Sequence, residues 1–205
     1  MSEATPDIID LLAGIEQGSL LDRLRSGRQQ ARDNAQKSFL ALFQPAFETS
    51  FKPVERFAIA SFVAGLHQQP IIEIFYARQI SEQSASGDIS TAIHAETNRG
   101  LTVGPYGDYP AGPLSVENKF GLLFKVDPHN RAILGDRLSS ALEHAHLLVF
   151  RPRDADSQTL QRLLDAGWST DETVTLSQLV SFLAFQIRVI AGLTVLATSA
   201  KQAAA

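Results

Sequence analysis

Cysteine is absent from these 205 residues. That excludes disulfides, thiolate metal sites and thiol catalysis outright. Surplus positive charge is missing too. A net charge of −4 gives no electrostatic reason to expect nucleic acid or an anionic membrane as partner. The opening MSEATPDIIDLLAGI carries acids and no basic segment, so no secretion signal is predicted. Period-two alternation is confined to short fragments such as Leu147 to Phe150, which argues against a sheet. No phosphate loop, dinucleotide fingerprint or nucleophile elbow is found, and Gly104-Pro105-Tyr106-Gly107 lacks the strand-turn-helix setting such motifs require. What remains, 44% hydrophobic and 20% charged, is an ordinary globular composition on a chain long enough for a sizeable core.

The residues that are present spell helices. Pro6-Asp7 starts one over Ile8 to Leu12, stopping near Gly14, and a second is predicted from Ser19 to Phe43. The polar face of that second helix (Arg23, Arg25, Arg28, Gln29, Arg32, Asp33, Lys37) is expected to be solvated. Pro45 to Pro53 reads as a loop, and helices follow over Val54 to Gly65, Pro70 to Ser81 and Ile89 to Glu96, with a polar break at Ser84 to Asp88. Arg99 to Glu117 holds four glycines, three prolines, Tyr106 and Tyr109, and is predicted to be an ordered Ω-type loop. A helix over Pro128 to His146 continues to Phe150 and ends at Arg151-Pro152.

The last third is the most explicit. Leu160, Leu163 and Leu164 fall at i, i+3, i+4, and Gly167 sits where a left-handed helix end is needed. Ser169-x-x-Glu172 is a capping box that starts the next helix. Beyond it Val174, Leu179, Val180, Phe182, Leu183, Ile187, Val189, Ile190 and Leu193 are apolar on most sides, so a buried helix is expected. Its length would suit a membrane span, but Gln178, Gln186 and Arg188 interrupt it and favour a soluble bundle, hence a cytoplasmic protein.

Ala166-Gly167-Trp168-Ser169, followed by Phe182, Phe185, Arg188, Gly192 and Leu193, resembles the C-terminal unit of the carboxymuconolactone decarboxylase / alkyl hydroperoxidase D-like superfamily. Glu55-Arg56-Phe57-Ala58-Ile59-Ala60 through Leu66 is similar to the start of its active helix pair, and Arg137, Ser140, Leu142, Ala145, Leu148 and Pro152 to its scaffold helix. The resemblance spans roughly Val54 to Leu193. It implies an all-α, alkyl hydroperoxidase D-like helical bundle, a single domain over residues 1–205 built with duplicated helical hairpins. Within it, 1–50 would be an N-terminal helical extension, 54–81 the redox helix pair, 99–117 the Gly/Pro loop and 128–196 the C-terminal helices.

The resemblance also locates where the chemistry should be. The family's proton-transfer acid falls on Phe57, its two cysteines on Gln69 and Ile72, and its histidine on Tyr76. None can perform a thiol step. The chain as a whole resembles a cysteine-free subfamily known only as domain proteins of the superfamily, which implies a non-redox structural or binding partner, in company with a cysteine-containing alkylhydroperoxidase-domain protein. It also implies a homo-oligomer, a trimer or hexamer. The alternatives are a cysteine-independent lactone decarboxylase or isomerase-like enzyme, or a small-molecule binder using the emptied site.

Six residues are candidates for a pocket: His67, Glu73, Tyr76, His144, His146 and Arg188. His67 and Glu73 could form an acid/base pair, against a plain helix-capping turn with a hydrogen-bonded histidine. His144 and His146, two apart on a helix, cannot chelate together, and neither a metal nor another cofactor is expected. Arg188 on so apolar a helix calls for a carboxylate or carbonyl partner, or an anionic ligand. Tyr106 and Tyr109 could pack the loop or line a pocket or interface, and Trp168 reads as a core or interface anchor.

Overall fold

The computed structural model describes residues 6–47, 49–83 and 87–203, with side chains described through Ser199. Among the described residues it is all-helical: α1 (Ile8–Ala13), α2 (Leu20–Ser26), α3 (Gln29–Phe43), α4 (Pro53–Leu66), α5 (Pro70–Gln83), α6 (Asp88–Gly100), α7 (Pro128–Phe150), α8 (Ser157–Asp165) and α9 (Thr170–Ala203). Part of the predicted polar break, at 84–86, lies outside the described residues. The contacts gather into two compact units. One holds residues 49–183, the other the N-terminal helices with α9 from Ala184 onward.

In the N-terminal unit, the Asp7 carboxylate caps α1 by accepting from the amides of Ile9 and Asp10, and Gly14 ends it at φ 63°. The helix predicted from Ser19 to Phe43 is two helices, parted at Gly27-Arg28, where Arg28 leaves helical geometry (φ −129°, ψ 53°). That break changes the role of the basic face. Arg25 reaches Asp7 at 2.8 Å and Arg32 reaches Asp22 at 3.0 Å, while both also pair with Asp10. These partly buried pairs tie α1, α2 and α3 together where a solvated face was expected.

In the larger unit α4 is the central helix. Every residue from Arg56 to Leu66 is buried, and α5, α6 and α7 pack around it. Small residues permit this close approach: a Cβ on Gly65 would come within 2.3 Å of Thr97 on α6. The buried Glu96 carboxylate links α6 to α7 by accepting from Asn130 Nδ2 at 2.6 Å and the Asp127 amide at 3.2 Å, with Arg99 at 2.6 Å. The irregular segment is ordered as expected but longer, running from Leu101 to Asp127 with one 3-10 turn over Pro113–Glu117. Tyr106 anchors it: the ring is buried, stacks on Phe150 at 6.3 Å and donates its hydroxyl to the Leu122 carbonyl at 2.7 Å. Tyr109 lies under the Arg153 guanidinium at 4.0 Å.

The end of α8 follows the sequence closely. Trp168 N–H donates to Leu163 and Gly167 N–H to Leu164, with Gly167 at φ 90°, the Schellman arrangement. Ser169 and Glu172 then cap each other's amides at 2.8 and 3.2 Å. Trp168 is a core anchor, its indole N–H bonded to the Arg137 carbonyl at 2.9 Å and its ring against Phe51. The long helix α9 departs from expectation. It is not buried all round: Leu176, Leu179, Val180, Leu183, Ile187 and Ile190 form a buried stripe, whereas Val174 and Phe185 are exposed. By length and composition α9 could cross a membrane, with 39% of its most apolar window buried.

Candidate functional site

The hairpin α4–α5 carries Phe57, Gln69, Ile72 and Tyr76, the positions that the sequence resemblance singles out. The chain turns between the helices through Gln68, whose backbone is left-handed at φ 55°. The Gln69 carbonyl then accepts from the amides of Ile72 and Glu73, opening α5. Helical spacing from there directs Ile72 and Tyr76 inward, one turn apart. Phe57, Ile72 and Tyr76 are 8%, 1% and 0% exposed. The Phe57 and Tyr76 rings lie 6.4 Å apart, and Phe75 meets Tyr76 edge-on at 5.1 Å. Phe57, Ile72 and Tyr76 are thus aromatic and aliphatic core, while Gln69 stays half-buried at the turn.

His67 does not pair with Glu73. It caps the end of α4 with Nδ1 2.9 Å from its own helix's Val63 carbonyl. Glu73 turns to α6, where Oε1 lies 3.2 Å from His94 Nδ1, and His94 Nε2 is 3.2 Å from Asn98 Nδ2. The acid/base pair exists, but with a different histidine. His94 and Asn98 are four apart and share a helix face, the one local signal that could have exposed it. The His94 side chain is 68% exposed, so this is a surface relay.

The two α7 histidines are both buried yet differ in kind. His146 stacks on Phe124 (4.7 Å) and Phe150 (4.8 Å), with Nε2 3.0 Å from the Gly100 carbonyl. Burial pushes its pKa down to about 4, so the ring is neutral and donates that bond. His144 is buried with neither ring nitrogen hydrogen-bonded to the protein, and burial also holds its pKa down. Arg188 belongs to the other compact unit. It is exposed, not buried, and donates to the Ala184 carbonyl at 2.8 Å, so solvent and its own helix replace the expected buried partner. Among the described residues no three histidine or acidic side chains gather at metal-binding range, so His67, Glu73, His144 and His146 are not one constellation.

Comparison of the chain with protein-family models, curated proteins and solved structures gives no match.

Two further features were not visible in the sequence. Arg137 bridges Glu55 (2.8 Å) on α4 and Glu172 (2.7 Å) on α9, with its guanidinium over the Trp168 ring at 4.1 Å. Burial alone would raise the Glu172 pKa. Hydrogen bonds from Arg137, Ser169 and Ser50 overcome it and bring the group down to about 2. The other feature is an open groove of about 640 Å³ between α8 and α9, lined mainly by Leu160, Leu164, Thr173, Val174 and Ser177. Its walls are almost wholly apolar, and its size is that of a small-molecule or helix-binding cleft.

Proposed function

We propose that this chain is a non-redox binding member of the carboxymuconolactone decarboxylase / alkyl hydroperoxidase D-like superfamily, cytoplasmic and homo-oligomeric as a trimer or hexamer. The observation that carries the reading is the closed packing of Phe57, Ile72 and Tyr76. With no thiol at positions 69 and 72 there is no group to attack a peroxide and none to resolve the product. The same packing weighs against a ligand seated in the emptied site. The binding half of the reading draws on the α8–α9 groove, an apolar surface that a second copy of the chain would cover. A cysteine-containing alkylhydroperoxidase-domain protein is the hetero-partner this reading names.

A hydroperoxide assay with a dithiol relay tests it: turnover stays at the uncatalysed background, and measurable turnover refutes the reading. Size exclusion with light scattering should return a multimer, and a clean monomer counts against self-assembly. The pair Glu73–His94 favours one second reading, a cysteine-independent lactone decarboxylase or isomerase-like enzyme. Turnover of a lactone acid that disappears in His94→Gln supports it, and no turnover removes it.

A further inference from the structure

Where α7 ends and α8 begins, a small cavity of about 30 Å³ is lined by His144, Arg151 and Arg162 together with Lys125, Glu143 and Thr159. Its charge is unusual for an acidic protein. Three cations face one carboxylate, and that carboxylate is already engaged: Glu143 pairs with Lys125 and, at 2.5 Å, with Arg131. Arg151 spends one end on Asp154 at 3.3 Å, while its Nε, though buried, meets no acceptor. Arg162 is exposed; nearby Asp156 is held below the usual carboxylate range mainly by the Thr159 amide, with the Arg162 charge adding least. The hydroxyl of Thr159 is occupied by the Asp156 carbonyl, and that of Ser140, also at the wall, by the Arg137 carbonyl.

The unmet donors therefore have one thing in common. His144, 5% exposed, lacks a protein partner on either ring nitrogen, and a neutral imidazole always carries one N–H. The Arg151 Nε–H lacks one as well. Buried donors without acceptors are costly, so their clustering at one cavity marks the place of an acceptor the chain does not supply. The size limits what it can be. A cavity this small admits only the end of a small oxyanion, and an imidazole with guanidinium N–H donors suits a carboxylate.

We infer that the cavity between α7 and α8 is a carboxylate-binding site, with His144 and the Arg151 Nε–H donating to the carboxylate from within and Arg162 closing on it from the mouth. The ligand is a small organic acid, or the carboxylate end of a larger one whose body remains outside. The site goes beyond the binding role proposed above, since it neither uses the α8–α9 groove nor depends on the emptied redox positions.

The test is a titration of the full-length chain, labelled with ¹⁵N at histidine, with sodium acetate against sodium chloride at equal ionic strength. Acetate should shift the His144 ring signals saturably, in the millimolar range, and leave His146 and His94 unmoved. Arg162→Gln, at an exposed position where the fold is not at risk, should weaken binding about tenfold. His144→Gln should abolish the remaining selectivity over chloride. An equal response to chloride overturns the proposal. So does the absence of any saturable shift, which would leave the cavity a water site. Saturation by inorganic phosphate well below the acetate concentration would overturn the assignment to carboxylates.

Discussion

Between α4 and α5 the buried side chains include Phe57, Ile72 and Tyr76, while between α7 and α8 they include His144 and part of Arg151. Both regions are interior, and they treat polarity in opposite ways. In the hairpin, the positions that the resemblance singles out hold groups that pack or stand at the turn. The α7–α8 junction keeps charge and imidazole inside and satisfies only some of it. Beside it, Arg137, Glu55 and Glu172 show what a completed polar network looks like in this fold. Burial in the hairpin thus removes chemistry, whereas at the junction it leaves donors that can still be met.

Substitutions should separate the two regions by size and sign. The largest effect belongs to the hairpin: Tyr76→Ala, by opening a cavity beside Phe57, should cost about 3–5 kcal/mol in denaturant unfolding. Next is the completed network. Glu172 has a folded pKa of about 2 against an ordinary 4.5, so its stabilisation is present above pH 4.5 and lost as pH falls towards 2. Glu172→Gln should remove about 3 kcal/mol at neutral pH and flatten unfolding free energy across that window.

His146 acts at higher pH. Its folded pKa of about 4 lies below the usual 6.5, so the unfolded chain binds the extra proton first and stability declines as pH falls from 6.5 to 4. His146→Gln should remove much of that decline, measured by thermal unfolding across the same range. The smallest effect sharpens the contrast most. His144→Leu replaces a ring with no hydrogen-bond partner in the protein and should be neutral or stabilising by up to about 1 kcal/mol in acetate-free buffer. A loss of several kcal/mol there would mean that His144 is already satisfied.

The sequence was legible where a local rule sufficed. Gly167, the Ser169–Glu172 box, Asp7 and Pro70 each mark a helix end through their own backbone or side-chain chemistry, and each stands where expected, while Pro53, read as the end of a loop, opens α4. The break between α2 and α3 was not legible, because no proline marks it and apolar residues recur across it. Arg188 was misread because a helix that is apolar on most sides looks buried, while exposure depends on which neighbours arrive. Of the candidate site, the apolar, unreactive character of Phe57, Ile72 and Tyr76 could be read residue by residue. The pairing of Glu73 with His94 could not, since it joins separate helices 21 positions apart. The His144 cavity has no local signature either, being assembled from α7, α8 and the end of the long loop.

A cysteine-free chain offers its own direct test of the closed hairpin, because any thiol introduced is the only one present. Ile72→Cys, at a buried position, should resist an aromatic disulfide reagent in the native protein and react stoichiometrically only after unfolding, while Gln69→Cys at the half-buried turn reacts in the native state. Rapid stoichiometric labelling of the native Ile72→Cys protein would contradict the account, for it would mean that position 72 opens to solvent.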